Sequence, residues 1–297
     1  WSSDVCSSDL KRFPKPGETL HINQAQKEFG GGKGANQAIA ASRLAADTTF
    51  ISKVGKDGNA NFILEDFKKA GIHTQYILTS ENEETGQAFI TVDEAGQNTI
   101  LVYGGANMTL SATDVEMSAE AFIGADFVVA QLEVPFEAIE QAFKIARKQN
   151  ITTVLNPAPA IELPKSLLEL TDIIIPNETE AELLTGISIN NESDMKETAT
   201  YFLDLGISAV LITLGEQGTY CAYQEQYKII PACNVKAVDT TAAGDTFIGA
   251  FLSELNKDLS NLESAIRLAN QASSLTVQRK GAQASIPTRK EVEAEYN

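Results

Sequence analysis

The sequence predicts an α/β protein: three layers, helix on sheet on helix, around a mostly parallel sheet, with a small sheet standing off it as a lid. Three observations predict this. The runs ADFVVAQLE (125–133), ITTVLN (151–156), DIIIPN (172–177) and SAVLITLG (208–215) are near-continuous in apolar residues, and strands apolar on both faces belong in a sheet covered by helices on both sides. Helix-like segments precede these runs, as PFEAIEQAFKIARKQN (135–150) precedes ITTVLN, which gives the alternation of a parallel sheet. One stretch, GQAFITVDEAGQNTILVYGG (86–105), instead carries two alternating runs about the turn 94–97, the pattern of an antiparallel hairpin with one polar face.

Taken in order, the first ten residues, WSSDVCSSDL, repeat Ser-Ser-Asp and show no alternation. A domain of this type calls for a buried Val- and Ile-rich strand at its start, so residues 1–10 are expected to be a non-native or disordered leader. TTFISKV (48–54) reads as a strand and NANFILEDFKKAGI (59–72) as an amphipathic helix ending near Gly71. With no repeat, low-complexity tract or linker in sight, residues 11–297 form one domain, with lid strands at about 14–28 and 86–105. A hairpin inserted into a parallel α/β chain suits a lid over a cleft or a dimer surface.

Composition narrows the function. The chain has 297 residues, of which 23 are basic and 40 acidic, a net charge of −17. Such a field repels nucleic acid and anionic membranes, so neither is expected as a partner. It also repels a nucleotide at long range, so any nucleotide site must be built from backbone N–H groups, a metal and a few cations. No apolar run reaches the ~18 residues of a membrane span, and no basic-then-apolar stretch opens the chain. Cys6, Cys221 and Cys233 show no CxxC spacing, which fits a reducing compartment and argues against structural zinc. Only His21 and His73 are present, too few for a multi-histidine metal site.

Four segments carry chemistry. FGGGKGANQA (29–38) brings the backbone close to a ligand through Gly30, Gly31, Gly32 and Gly34, and the helix after it points free N–H groups into that loop. It satisfies G-x-G-x-x-A through Gly30, Gly32 and Ala35, but QAQKEF before it is no apolar strand, as a dinucleotide fold requires. Lys33 is followed by Gly34 rather than Ser or Thr, so it is no Walker A loop either. Lys33 and Asn36 suit a ligand with several hydroxyls. In DTTAAGDTF (239–247), Ala242, Ala243 and Gly244 allow a tight turn whose N–H groups converge on an anion, with Asp245 at a helix start. Asp245 can be an N-cap, a general base, or both. Asn177 and Glu180, after a buried strand, can orient magnesium-bound water or simply form a capping box. Thr213, Leu214, Gly215, Glu216, Gln217 and Gly218 close another strand, as a plain turn or a nucleotide edge.

Together these segments resemble the ribokinase (pfkB-type carbohydrate kinase) family over about residues 13–287. The likeness rests on FPKPGET, GGKGANQA, QLEVP, LNPAPA, IPNETEAELLTG, ITLGEQG, VDTTAAGDTF and RKGAQASIP, with Gly55; LNPAPA and RKGAQ favour its ribose-specific branch over fructokinase or adenosine-kinase relatives. The resemblance implies ATP-dependent phosphorylation of a sugar such as ribose at its 5-hydroxyl. Gly32, Lys33, Gly34, Ala35, Asn36 and Glu133 would bind the sugar, and Asp245 would contact it as base. Asn177, Glu180, residues Thr213 to Gly218, Gly244 and Asn270 would line ATP with its Mg²⁺; histidine is frequent at the last of these. A monovalent cation, usually K⁺, would sit by Asp239, Thr241, Thr276, Arg279, Gly281 and Ser285. A cytoplasmic homodimer, with lids closing over each other's sugar site, is also implied.

The chain departs from the family at its start. The family's first strand carries Gly-Ser-x-Asn-x-Asp, whose Asn and Asp grip the sugar; here the aligned places hold Ser3 and Val5, and the role does not pass to Asp4 or Asp9. Weaker folding and weaker sugar affinity are expected. Ala45 stands where Gly or Ser is common. A related sugar or nucleoside kinase, a sugar-binding regulator without catalysis, and a nicotinamide dehydrogenase are the alternatives.

Overall fold

The protein is described here from a computed structural model covering residues 3–21, 27–94 and 98–296. It begins with β1 (Ser3–Leu10), β2 (Lys27–Gly31) and α1 (Lys33–Arg43). Then come β3 (Ser52–Val54), α2 (Gly58–Ala70), β4 (Ile77–Thr79), β5 (Gln87–Asp93) and β6 (Asn98–Tyr103). α3 (Ala112–Met117), β7 (Phe127–Ala130), α4 (Phe136–Lys148), β8 (Thr152–Leu155), α5 (Lys165–Leu168) and β9 (Ile173–Ile174) follow. The remainder is α6 (Glu178–Thr185), α7 (Glu192–Asp204), β10 (Ala209–Thr213), β11 (Thr219–Tyr223), β12 (Gln226–Ile230), α8 (Ala243–Glu254), α9 (Leu262–Thr276) and α10 (Arg289–Tyr296).

The central sheet has the order β12-β11-β10-β9-β8-β7. β7 to β10 run parallel, and β11 and β12 add an antiparallel edge. Its residues divide between two cores, as strands apolar on both faces require. Val154, Ile173, Ala209 and Leu211 pack with Phe247, Phe251, Ile266 and Ala269 of α8 and α9. Leu155, Ile174, Val210 and Ile212 pack on the other side with Ile139, Phe143, Ala199 and Phe202 of α4 and α7. The three predicted layers are these.

A second sheet has the order β2-β1-β5-β6, and β3 pairs with β4 as a separate parallel ribbon. The predicted hairpin is present as β5 and β6 in antiparallel register from Gln87↔Tyr103 to Val92↔Asn98; residues 95–97 of its expected turn lie outside the described residues. The helix expected over 59–72 runs over 58–70, capped by Asp57 at its start and by Gly71, at φ 80°, at its end. Of the two expectations for the leader, disorder needs correcting. Trp1 and Ser2 lie outside the described residues, but Ser3–Leu10 is a strand, antiparallel to β2 and parallel to β5. Ladder hydrogen bonds from two neighbours hold a sequence that lacks the expected alternation. Of the first lid strand expected at about 14–28, the part up to residue 21 is neither helix nor strand, residues 22–26 lie outside the described residues, and β2 spans Lys27–Gly31.

Candidate active site

The site forms where the N-terminal ends of α1 and α8 meet the carboxyl ends of β8, β9 and β10, the place where open α/β sheets bind ligands. α1 and α8 approach closely because Gly249 has no side chain. A Cβ there would lie 2.6 Å from the Ala41 nitrogen and 2.6 Å from the Gln37 oxygen. That approach sets Asn36 and Gln37 against Asp245. Asn36 Nδ2 donates to Asp245 Oδ2 at 2.9 Å and Gln37 Nε2 donates to Oδ1 at 3.0 Å. Asp245 is not the N-cap of α8; Ala242 is, at φ 60°, and Asp245 lies in the first turn. Gln37 also donates to Asn156 Oδ1 at 3.1 Å and accepts from Gln131, while Asn156 donates to the Ile175 carbonyl at 2.9 Å. A buried chain of amides thus fixes the carboxylate.

Burial pushes the Asp245 carboxyl above its ordinary value, while the Lys33 charge and the Asn36 and Gln37 bonds pull it down. Burial likewise raises Glu133, whose Oε2 accepts the Lys33 N–H at 2.9 Å, and Glu180. The buried Asn36 Oδ1 has no partner among the described residues. An unsatisfied buried acceptor costs stability that a ligand hydroxyl can recover.

A cavity of about 210 Å³ joins the motifs. Lys33, Asn156, Asn177, Glu180, Thr213, Ala242, Ala243, Gly244 and Asp245 all line it. The anion turn is narrower than the sequence suggested, because the Ala243 N–H is spent on the Thr240 carbonyl at 3.2 Å. The N–H groups of Ala242, Gly244 and Asp245 have no protein partner among the described residues, as expected for a helix's first turn. Asn177 and Glu180 form the capping box: Asn177 Oδ1 accepts the Glu180 N–H at 2.8 Å and Glu180 Oε2 accepts the Asn177 N–H at 2.9 Å. One Glu180 carboxylate oxygen remains for other work.

Other predicted residues are placed differently. Gly32 is the N-cap of α1 at φ 91° and accepts the Asn36 N–H through its carbonyl at 2.9 Å. Gly34 is buried within α1, and Ala35 packs with Ile39, Ile63 and Phe67, so its side chain belongs to the core. Leu214 is buried and Glu216 and Gln217 are exposed; the turn closes with the Leu214 N–H on the Gly218 carbonyl at 2.8 Å. Gly218, at φ 108°, could carry no side chain, since a Cβ would meet the Ile230 oxygen at 2.2 Å. Asn270 is spent on protein: it accepts from Thr219 Oγ1 and donates to the Ile230 and Pro231 carbonyls, each at 3.1 Å. Its amide pins the exit of β12.

In the proposed cation loops, Asp239 accepts the Thr241 and Gly281 N–H groups, each at 2.9 Å. Burial works against its charge, but these bonds outweigh burial and hold it below the ordinary range. The Thr276 carbonyl accepts the Arg279 N–H at 3.0 Å, the Arg279 guanidinium turns to Glu291 at 2.8 Å, and the Ser285 hydroxyl bonds the Ala282 carbonyl at 2.7 Å. Asp239 thus ties the 239–241 loop to the 276–285 loop through the Gly281 N–H. Sequence reasoning missed Gln37, Gln131, Asn156 and Gly249, though the first three lie inside motifs it had singled out.

Comparison with known proteins agrees with this geometry. Residues 4–289 match the family described as pfkB family carbohydrate kinase. The ribokinase of Staphylococcus aureus (strain COL) is 64% identical over 283 residues, covering 95% of this chain and 93% of the relative. A deoxyribokinase of Salmonella typhi is 37% identical over 278 residues, covering 93% of this chain and 90% of the relative. The structure of Arabidopsis thaliana ribokinase complexed with ribose and ATP superposes with a TM-score of 0.90 at 33% identity, covering 99% of this chain and 95% of that one.

Proposed function

This chain belongs to the pfkB family of carbohydrate kinases, and from that premise we propose that it transfers the γ-phosphate of ATP to the 5-hydroxyl of D-ribose, giving ribose 5-phosphate. The observation that carries the reading is Asp245: a buried carboxylate held by two amide donors, in one cavity with Lys33 and the Ala242–Gly244 turn. Two donors aimed at its two oxygens favour the ionised form, which accepts the hydroxyl proton as that oxygen attacks phosphorus. Lys33 and Asn36, with its free Oδ1, orient the sugar from one side, and Glu133 secures the loop through the Lys33 N–H. The N–H groups of Ala242, Gly244 and Asp245 face the charge that grows on the transferred phosphoryl group.

Magnesium, when bound with the nucleotide, neutralises phosphate charge. Asn177 and Glu180 fit its water shell, since Glu180 keeps one oxygen uncommitted beside the cavity. Thr213 and the 214–218 turn supply the nucleotide edge. A monovalent cation, potassium, fits between the 239–241 and 276–285 loops, which Asp239 joins by accepting the Thr241 and Gly281 N–H groups. A homodimer is supported by exposed apolar side chains on β5 and β6: Phe89 is 41% exposed and Leu101 66%. The free Cys221 and Cys233 support a reducing cytoplasmic setting; among the described residues no helix is long and apolar enough to cross a membrane.

The test is ADP release with ribose, 2-deoxyribose and fructose, each with and without potassium. The proposal expects the highest kcat/KM with ribose and stimulation by potassium. Equal rates without any sugar, or clear preference for another sugar, would overturn it.

A further inference from the structure

A second cavity, of about 510 Å³, lies between β7 and the segment 46–51 that leads into β3, with Gln37 and Gln131 of the active-site amide chain in its wall. Native interiors hold few voids larger than a water molecule, so a space of this size needs an explanation. Its walls supply one. β7 is the end strand of the six-stranded sheet, and β3 has a partner only in β4. Thr152 N–H and Asn156 N–H bond the carbonyls of Asp126 and Ala130, so the β8 ladder uses the peptide groups of alternate β7 residues. Phe127, Val129 and Gln131, of opposite parity, turn theirs toward the cavity. In the segment leading into β3, the Thr48 carbonyl and the Phe50 N–H are taken by His73, which leaves the backbone of Thr49 and Ile51 directed at the same space. Among the described residues no backbone hydrogen bond is made on either of these edges.

The remaining two walls are helical layers. Ala38 and Ala41 of α1 with Leu252 of α8 line one face, and Phe122 with Ala138 and Ala142 line the other. The space therefore has unpaired backbone on two opposite sides and apolar side chains above and below, the surroundings of a strand in the middle layer of an α/β/α sandwich. β7 also differs from its neighbours: its four residues are only partly buried, whereas those of β10 are buried but for Thr213. It carries no charge or proline of the kind that normally protects an edge.

We propose that this groove is a strand-acceptor site, binding an extended, Val- and Ile-rich peptide segment that pairs with the free edge of β7 and joins it to the 49–51 segment leading into β3. A small apolar molecule would fill the volume but leave both rows of backbone donors and acceptors unpaired, at a cost that an extended peptide avoids. Phe127 to Gln131 spans roughly 17 Å of edge, which sets the length. A polar or helical partner fits neither the apolar faces nor the edges.

The test uses the full chain and a dye-labelled peptide of about seven residues, alternating valine and isoleucine with a lysine at each end. Fluorescence anisotropy should show saturable binding, and the peptide should raise Tm. A peptide with proline at its centre should bind roughly tenfold more weakly or worse, having lost backbone pairing. Val129→Pro should cause a similar loss, because the β8 ladder does not use that N–H. Should this variant fail to fold, the proline peptide on the unaltered chain decides the matter. No saturable binding, equal binding of the proline peptide, or a dimer through this groove that the peptide cannot displace would overturn the proposal. Turnover is not the readout, so failure of the kinase assignment leaves the test intact.

Discussion

The two walls of the active-site cavity are built in opposite ways. On the nucleotide wall, the capping box links Asn177 and Glu180, three residues apart, and the 214–218 turn closes on itself. On the sugar wall, Asn36 and Gln37 reach Asp245 across 209 and 208 residues of sequence, and Gln131 reaches Gln37 across 94. One wall folds locally; the other exists only once α1, α8 and the ends of β7 and β8 have packed. The difference teaches that the carboxylate proposed as the base depends on the core, and that core changes should damage chemistry before they damage nucleotide binding.

Three variants break or sharpen this contrast. Asp245→Asn removes the proposed base and should lower turnover by roughly 10²- to 10⁴-fold, with the ribose Kd, measured by calorimetry, within about tenfold of the parent. Retained turnover would dissolve the distinction between the walls. Gly249→Ala forces α1 from α8, since its Cβ would meet Ala40 and Ala41; a stability loss of about 3 kcal/mol is expected in chemical denaturation. Turnover of the folded fraction should fall more than its affinity for ATP. Asn177→Ala affects only the local wall. Loss of its cap should cost about 1 kcal/mol and lower Tm by roughly 2–4 °C, while the ribose KM stays unchanged.

This contrast also explains what the sequence disclosed. The parallel sheet was legible because β9 and β10 are apolar on both faces, and the capping box because its spacing is local. Asp245, Lys33 and the alanine-glycine turn were legible as a motif. Their partners were less so: Gln37 and Asn156 stand in motif blocks, but nothing in sequence says that the two amides touch each other and the carboxylate. The packing role of Asn270 was hidden for the same reason, since its three bonds to Thr219, Ile230 and Pro231 come from segments distant in sequence. β1 was not legible because its pairing with β2 and β5, rather than any alternation of its own, makes Ser3–Leu10 a strand.

The measurement that tests the central claim most directly is the pH dependence of kcat in the parent protein and in Gln37→Leu. A base must be ionised to act, so turnover falls as pH drops through its pKa. Burial places the Asp245 pKa above the ordinary value of about 3.9, and the Gln37 bond holds it down. The account predicts an acidic limb above the usual carboxylate range in the parent, moved to still higher pH in Gln37→Leu, with kcat at its plateau lowered roughly tenfold or more. An acidic limb unmoved by the substitution would contradict it.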